Sequence, residues 1–183
     1  MFMQDITRFA ATPISTANAS LSLGIFGATL VETATGWRKA ETLRIGDSLH
    51  TLDGGLRRIA AMSRRIVTPG EAMVQVSGGH FDACSDVMLV PGQGVLLDTA
   101  GLMAAPYARV PANALANCIG ARRGTAPGRT EIVTPIFAEE EAIWAQSGML
   151  LICPGIRGGD SAFPEMHGPA ATLFLTERTR RFA

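Results

Sequence analysis

Residues 21–59 read LSLGIFGATLVETATGWRKAETLRIGDSLHTLDGGLRRI. An apolar segment leads into Thr29-Leu30-Val31-Glu32-Thr33, whose β-branched, alternating residues suit a half-buried strand. Thr35-Gly36 marks a turn, Ala40-Glu41-Thr42-Leu43 a short helical turn, and Ile45-Gly46-Asp47 follows it. A second strand runs from Ser48 to Leu52 and closes at Asp53-Gly54-Gly55. Asp-Gly between alternating segments predicts a hairpin, because the turn residues must accept positive φ.

Outward from this stretch the chain stays rich in short strands. Leu56–Val67 predicts a long curved strand, with Gly-rich residues before it and Thr68-Pro69-Gly70 after it. Its arginines 57, 58, 64 and 65 alternate between faces, which reads as a solvated edge. Met73–Ser77, Val95-Leu96-Leu97, Leu102–Pro111 and Met149–Pro154 also read as strands, and Ala112–Leu115 as a helical turn. Arg122–Gly128 reads as a basic, turn-rich loop. Residues 130–138 and 142–145 read as a hairpin across Glu139-Glu140-Glu141, with the acidic trio as its solvated loop. Ala-x-x-Leu occurs at Ala40–Leu43 and again at Ala112–Leu115, a sign of internal repetition.

The order Ala28-Thr29-Leu30, Thr35-Gly36, Glu41-Thr42-Leu43-Arg44-Ile45-Gly46-Asp47 and Asp53-Gly54-Gly55 resembles the opening of a Hint domain. That module is shared by hedgehog autoprocessing domains and inteins, and the match is to its bacterial stand-alone form. The resemblance covers roughly Leu21 to Pro154. It implies an all-β, Hint-like fold of two related β-subdomains about a pseudo-twofold axis, with few short helices. It divides the chain into an arm (1–20), a Hint-like domain (21–154) and a C-terminal extension (155–183), packed on the domain or trailing from it.

The same resemblance locates the family's chemistry. Its nucleophilic cysteine falls on Gly24 and the histidine of its second block on Gln93. The histidines of its third block fall near Thr134 and Glu140, and its aspartate on Ala138. These departures predict a catalytically degenerate domain acting as a non-enzymatic binding or structural module. Ser22 is the nearest hydroxyl for an autoprocessing alternative, but a hydroxyl needs a positioned base. Cys84, Cys118 and Cys153 are the other nucleophiles that alternative could recruit. The apolar segment 21–26 suggests a third role, self-association into a homo-oligomer.

Composition narrows the remaining classes. Of 183 residues, 47% are apolar and 17% charged, enough for a sizeable buried core. Sixteen basic side chains balance sixteen acidic ones, which argues against a nucleic-acid binder. The residues identify no partner; the binding-module reading leaves room for an unknown protein or peptide. The apolar run 21–31 is too short for a membrane span. It reads as a folded strand rather than a signal peptide, so the cytoplasm is favoured, with export lacking a cleaved signal as the alternative. Three cysteines make no disulfide framework and read as buried thiols. His80 and Cys84 have the spacing of two zinc ligands on a helix, but their surroundings read as turn and strand. No cofactor or metal is expected.

Overall fold

The computed structural model describes residues 23–159 and 161–182, so the N-terminal arm and Ser22 lie outside the described residues. Its elements are β1 (Ile25–Phe26), β2 (Leu30–Thr33), β3 (Gly36–Lys39), a 3-10 turn (Ala40–Thr42), β4 (Ser48–Thr51), β5 (Gly55–Arg58), β6 (Ala61–Val67) and β7 (Ala72–Val76). There follow β8 (Val87–Leu89), β9 (Gly94–Asp98), β10 (Tyr107–Pro111), α1 (Ala112–Leu115), β11 (Ala121–Thr125), β12 (Thr130–Ile136), β13 (Glu141–Ala145), β14 (Met149–Cys153) and α2 (Gly168–Phe182).

Among the described residues the strands form two antiparallel sheets. The six-stranded sheet has the order β11-β7-β8-β1-β12-β6. The eight-stranded sheet has the order β10-β9-β14-β13-β2-β4-β5, with β3 paired to β2. Both sheets contribute to one core: Ile25, Val74, Leu89 and Val133 from the first, Val31, Leu49, Val95, Ile143 and Leu151 from the second. The chain is all-β, as the turn and strand pattern predicts.

The repeat foreseen at Ala40 and Ala112 extends through the main chain. Ala40 N–H donates to Thr29 O and Glu41 N–H to Gly27 O; Ala112 N–H donates to Gln93 O and Asn113 N–H to Pro91 O. The step along the chain from Thr29 to Gln93 equals that from Gly27 to Pro91. The hairpins β2–β3 and β9–β10 occupy equivalent places. Ile25 and Leu89, separated by that same step, pair directly across β1 and β8. A residue facing its own equivalent across an antiparallel ladder marks where the pseudo-twofold passes.

Five local readings need correction. Leu56–Val67 is not one strand: β5 ends at Arg58 and β6 begins at Ala61 in the other sheet, with Ile59 buried between them. The Asp53-Gly54 hairpin forms, but Thr51 pairs with Gly55, and the positive φ of +61° falls on Gly55. Arg122–Gly128 is not a loop throughout, because Ala121–Thr125 is a strand paired to β7. Leu102–Pro111 is strand only from Tyr107 onward. Finally, β12 and β13 are not a hairpin. Phe137, 1% exposed, crosses between the sheets, its N–H donating to Pro154 O and its carbonyl accepting from Ile156 N–H. Burying that ring and satisfying its peptide against residues 154–156 outweighs the closer pairing partner in sequence.

The C-terminal extension packs on the β-domain. Phe163 joins an apolar cluster with Leu96, Ala142, Leu150 and Ile152. Residues 164–166 run along β10, where Arg109 N–H donates to Pro164 O and Met166 N–H to Arg109 O. Helix α2 then buries Ala171, Phe174 and Leu175, spaced i, i+3 and i+4 on one face. Among the described residues no helix is long and apolar enough to cross a membrane.

Candidate functional site at Gly24, Gln93 and Thr134

The chain enters β1 through Leu23 and Gly24, and three positions singled out from sequence meet there. Gln93 sits just before β9, held by its N–H donating to Val90 O. Its side chain is 1% exposed and fully engaged. Oε1 accepts from Gly24 N–H at 2.9 Å, and Nε2 donates to Ile152 O at 2.8 Å and to Gly94 O at 3.0 Å. One donor and two acceptors around it fix the amide's orientation, because only the amide nitrogen can donate. Thr134, on β12, donates from Oγ1 to Leu23 O at 3.2 Å. Two side chains from different sheets thus clamp the main chain on either side of the Leu23–Gly24 peptide.

Gly24 itself is enclosed. A Cβ built there would overlap Ile132 Cγ2 and lie 2.8 Å from Thr134 Oγ1, and the backbone has φ +140°, where side chains are rarely tolerated. Neither the Gln93 nor the Thr134 side chain is an acid or a base in the ordinary range, and among the described residues both serve as hydrogen-bonding groups to the Leu23–Gly24 peptide.

Glu140 stands apart from this clamp, in another polar group. Arg109 Nη1 donates to Glu140 Oε2 at 3.1 Å, and Ser161 Oγ donates to Glu140 Oε1 at 2.5 Å. Arg109 Nε lies 3.5 Å from Glu165, an ion-pair distance without hydrogen-bond geometry. Glu141 pairs with Arg57 at 3.2 Å and is largely covered. The acidic trio is therefore not a solvated loop; of the three, only Glu139, paired with Arg157, is itself widely exposed. Sequence offered no signal for this, since Arg109 is 31 residues from Glu140.

The cysteines are all free thiols. Cys84 is exposed, which corrects its reading as a buried residue; its Sγ contacts Ser147 O at 3.5 Å. It lines a cleft of about 640 Å3 with His80, Asp82 and Arg178. His80 lies in a turn closed by its bridge to Ala83, not on a helix. Among the described residues no three His, Cys, Asp or Glu side chains group to hold a metal. Cys118 is raised from the ordinary thiol value by burial. Cys153, fully enclosed, is raised far more by burial, then by the nearby charges of Glu141 and Glu140.

A thiolate, not a thiol, is the nucleophile, so Cys153 is inert in the folded chain. At pH 8 a disulfide reagent is expected to modify Cys84 rapidly and Cys153 only after denaturation. Cys153 also sets a pH slope. Its stabilising share is fully present below the unfolded thiol's value near 9.0 and falls as pH rises beyond it, because the unfolded chain ionises first. Alkaline unfolding followed by fluorescence should show that decline, steeper than in Cys153→Ala.

Comparison with known proteins identifies the architecture. The family model described as "Hint domain" matches residues 25–149, more than half of the chain. The chain belongs to the Hint domain family. Among solved structures, this Hint domain is similar to a bacterial intein-like domain from Clostridium thermocellum, with 9% identity and a TM-score of 0.48, covering 70% of this chain and 96% of that one. It is also similar to the MchDnaB-1 intein, with 16% identity and a TM-score of 0.43, covering 69% and 98%. A third is a splice-inactive variant of the AceL NrdHF class 3 split intein, with 10% identity and a TM-score of 0.44, covering 72% and 97%. No curated protein matches the chain.

Proposed function

We propose that this Hint domain is catalytically degenerate and acts as a non-enzymatic binding or structural module. The observation that carries the reading is the enclosure of Gly24. The position that the sequence resemblance gives to the family's nucleophile has no side chain, and a Cβ there would overlap Ile132. Its N–H is tied to Gln93, which the same resemblance sets in the place of the family's histidine. An acyl shift needs a nucleophile and a base positioned together. Here both places are given to hydrogen bonds that hold the main chain.

The thiol-based alternative draws no support from Cys153, which is held protonated, or from Cys84, which lines a different cleft. Ser22 lies outside the described residues. Self-association through the segment 21–26 loses two of its three described apolar residues, since Ile25 and Phe26 are 1% and 4% exposed within the chain itself, while Leu23 is half-buried.

Restoring the family residues tests the enclosure. A fusion carrying Gly24→Cys and Gln93→His, incubated with hydroxylamine or a thiol at pH 8, is expected to stay full length, because the new Cβ has no space beside Ile132. Cleavage at residue 24 in that variant would contradict the packing argument.

A further inference from the structure

Among the described residues, the basic side chains on the sheet edges have partners except those of β11. On β6, Arg64 pairs with Glu131 at 2.8 Å and Arg65 with Glu71 at 2.6 Å. On β5, Arg57 pairs with Glu141 and Arg58 donates from Nε to Gly46 O at 3.0 Å. On β3, Arg38 pairs with Asp47 and Lys39 with Glu41. On β10, Arg109 meets Glu140 and Glu165. β11 closes the other end of the six-stranded sheet, and its Arg122 and Arg123 are exposed. Neither has an ion-pair partner among the described residues.

Among the described residues no strand pairs with the outer side of β11. Ser77 N–H donates to Gly120 O and Ala126 N–H to Glu71 O, bracketing the ladder with β7. Antiparallel alternation then points Arg122 and Gly124 peptides toward β7, and those of Arg123 and Thr125 away from the sheet. Arg122 borders a cleft of about 330 Å3 beside Gln75 and Met88; Asp86, at the same cleft, accepts from Gly78 N–H. Arg123 borders one of about 260 Å3 beside Met73 and Pro91.

The domain already covers one such edge with its own chain. Residues 164–166 lie along β10, bonded both ways to the Arg109 peptide, with Glu165 beside the arginine. That is an extended segment whose one carboxylate, Glu165, meets the arginine of the edge it covers. We propose that β11 is a second docking edge of this kind, for an extended acidic peptide segment of a partner protein. The peptide adds a strand to the six-stranded sheet. Because Arg122 and Arg123 face opposite sides, adjacent carboxylates on the peptide meet one arginine each. Main-chain bonds to Arg123 and Thr125 supply the rungs. This deepens the binding-module reading and does not depend on whether Gly24 is inert.

The test uses the full chain and three labelled hexapeptides, followed by fluorescence anisotropy. One is Thr-Val-Glu-Glu-Val-Thr, one has Lys-Lys at the centre, and one is the acidic peptide with alternate amides N-methylated. Only the first should bind wild type, and N-methylation should weaken it by at least roughly tenfold, because it removes the rungs. Arg122→Glu/Arg123→Glu should lose the acidic peptide by at least about tenfold and gain the Lys-Lys one. Amide exchange at Arg123 and Thr125 should slow in the complex. The proposal is overturned by no binding of the acidic peptide, by binding that survives N-methylation (charge alone), or by binding that survives charge reversal. The N-methylated arm uses unaltered protein, so a misfolded variant does not blunt it. Fusion cleavage bears only on the site at Gly24, so the two readings fail separately.

Discussion

Gln93→Leu is expected to lower unfolding stability by about 3–5 kcal/mol. Leucine keeps the bulk but removes one acceptor and two donor contacts, leaving Gly24 N–H, Ile152 O and Gly94 O without those partners at a buried position. An unsatisfied buried group costs roughly 1–3 kcal/mol, and neighbouring groups relax together rather than adding fully. The loss should appear in denaturant unfolding as a lower midpoint with an unchanged slope. Thr134→Val offers the graded comparison. It removes one bond to Leu23 O, and about 1 kcal/mol is expected. If Gln93→Leu unfolded like wild type, the glutamine would not be the clamp described above.

Phe174→Ala should cost about 3–5 kcal/mol, although residue 174 lies beyond the region 25–149 that the Hint family model matches. The ring is 6% exposed and packs into the core shared by both sheets, beside the fully enclosed Ala171 and Leu175. Leu173, on the opposite face and 64% exposed, is the control, and its replacement by alanine should stay within about 0.5 kcal/mol of wild type. Equal effects at 173 and 174 would mean that α2 is not part of the cooperative unit.

The sequence made the β-architecture legible because its evidence is local. Asp-Gly and Thr-Gly turns, period-two alternation and the Ala-x-x-Leu turns at 40 and 112 each need only a few neighbouring residues to be read. The clamp was half legible. Resemblance alone marked Gly24, Gln93 and Thr134, which stand far apart in the chain, but not that their atoms meet. What escaped reading depends on distant partners. Arg122-Arg123-Gly124 has loop composition, and only its register against β7 makes it a strand. Residues 130–145 look like a hairpin until Phe137 is drawn across to Pro154. Glu140 looks solvated until Arg109 and Ser161 arrive from other parts of the chain. Helix α2 had a usable sign, Pro169 after Gly168 ahead of an apolar i, i+3, i+4 pattern.

We propose that the enclosed Gly24 site performs no self-cleavage. The direct measurement is the intact mass of freshly purified protein carrying an N-terminal fusion, with and without hydroxylamine or a thiol. An unchanged full-length mass under every condition is the predicted result. Clean release of the fusion between residues 20 and 24, abolished by replacing a single named nucleophile such as Ser22, would contradict it.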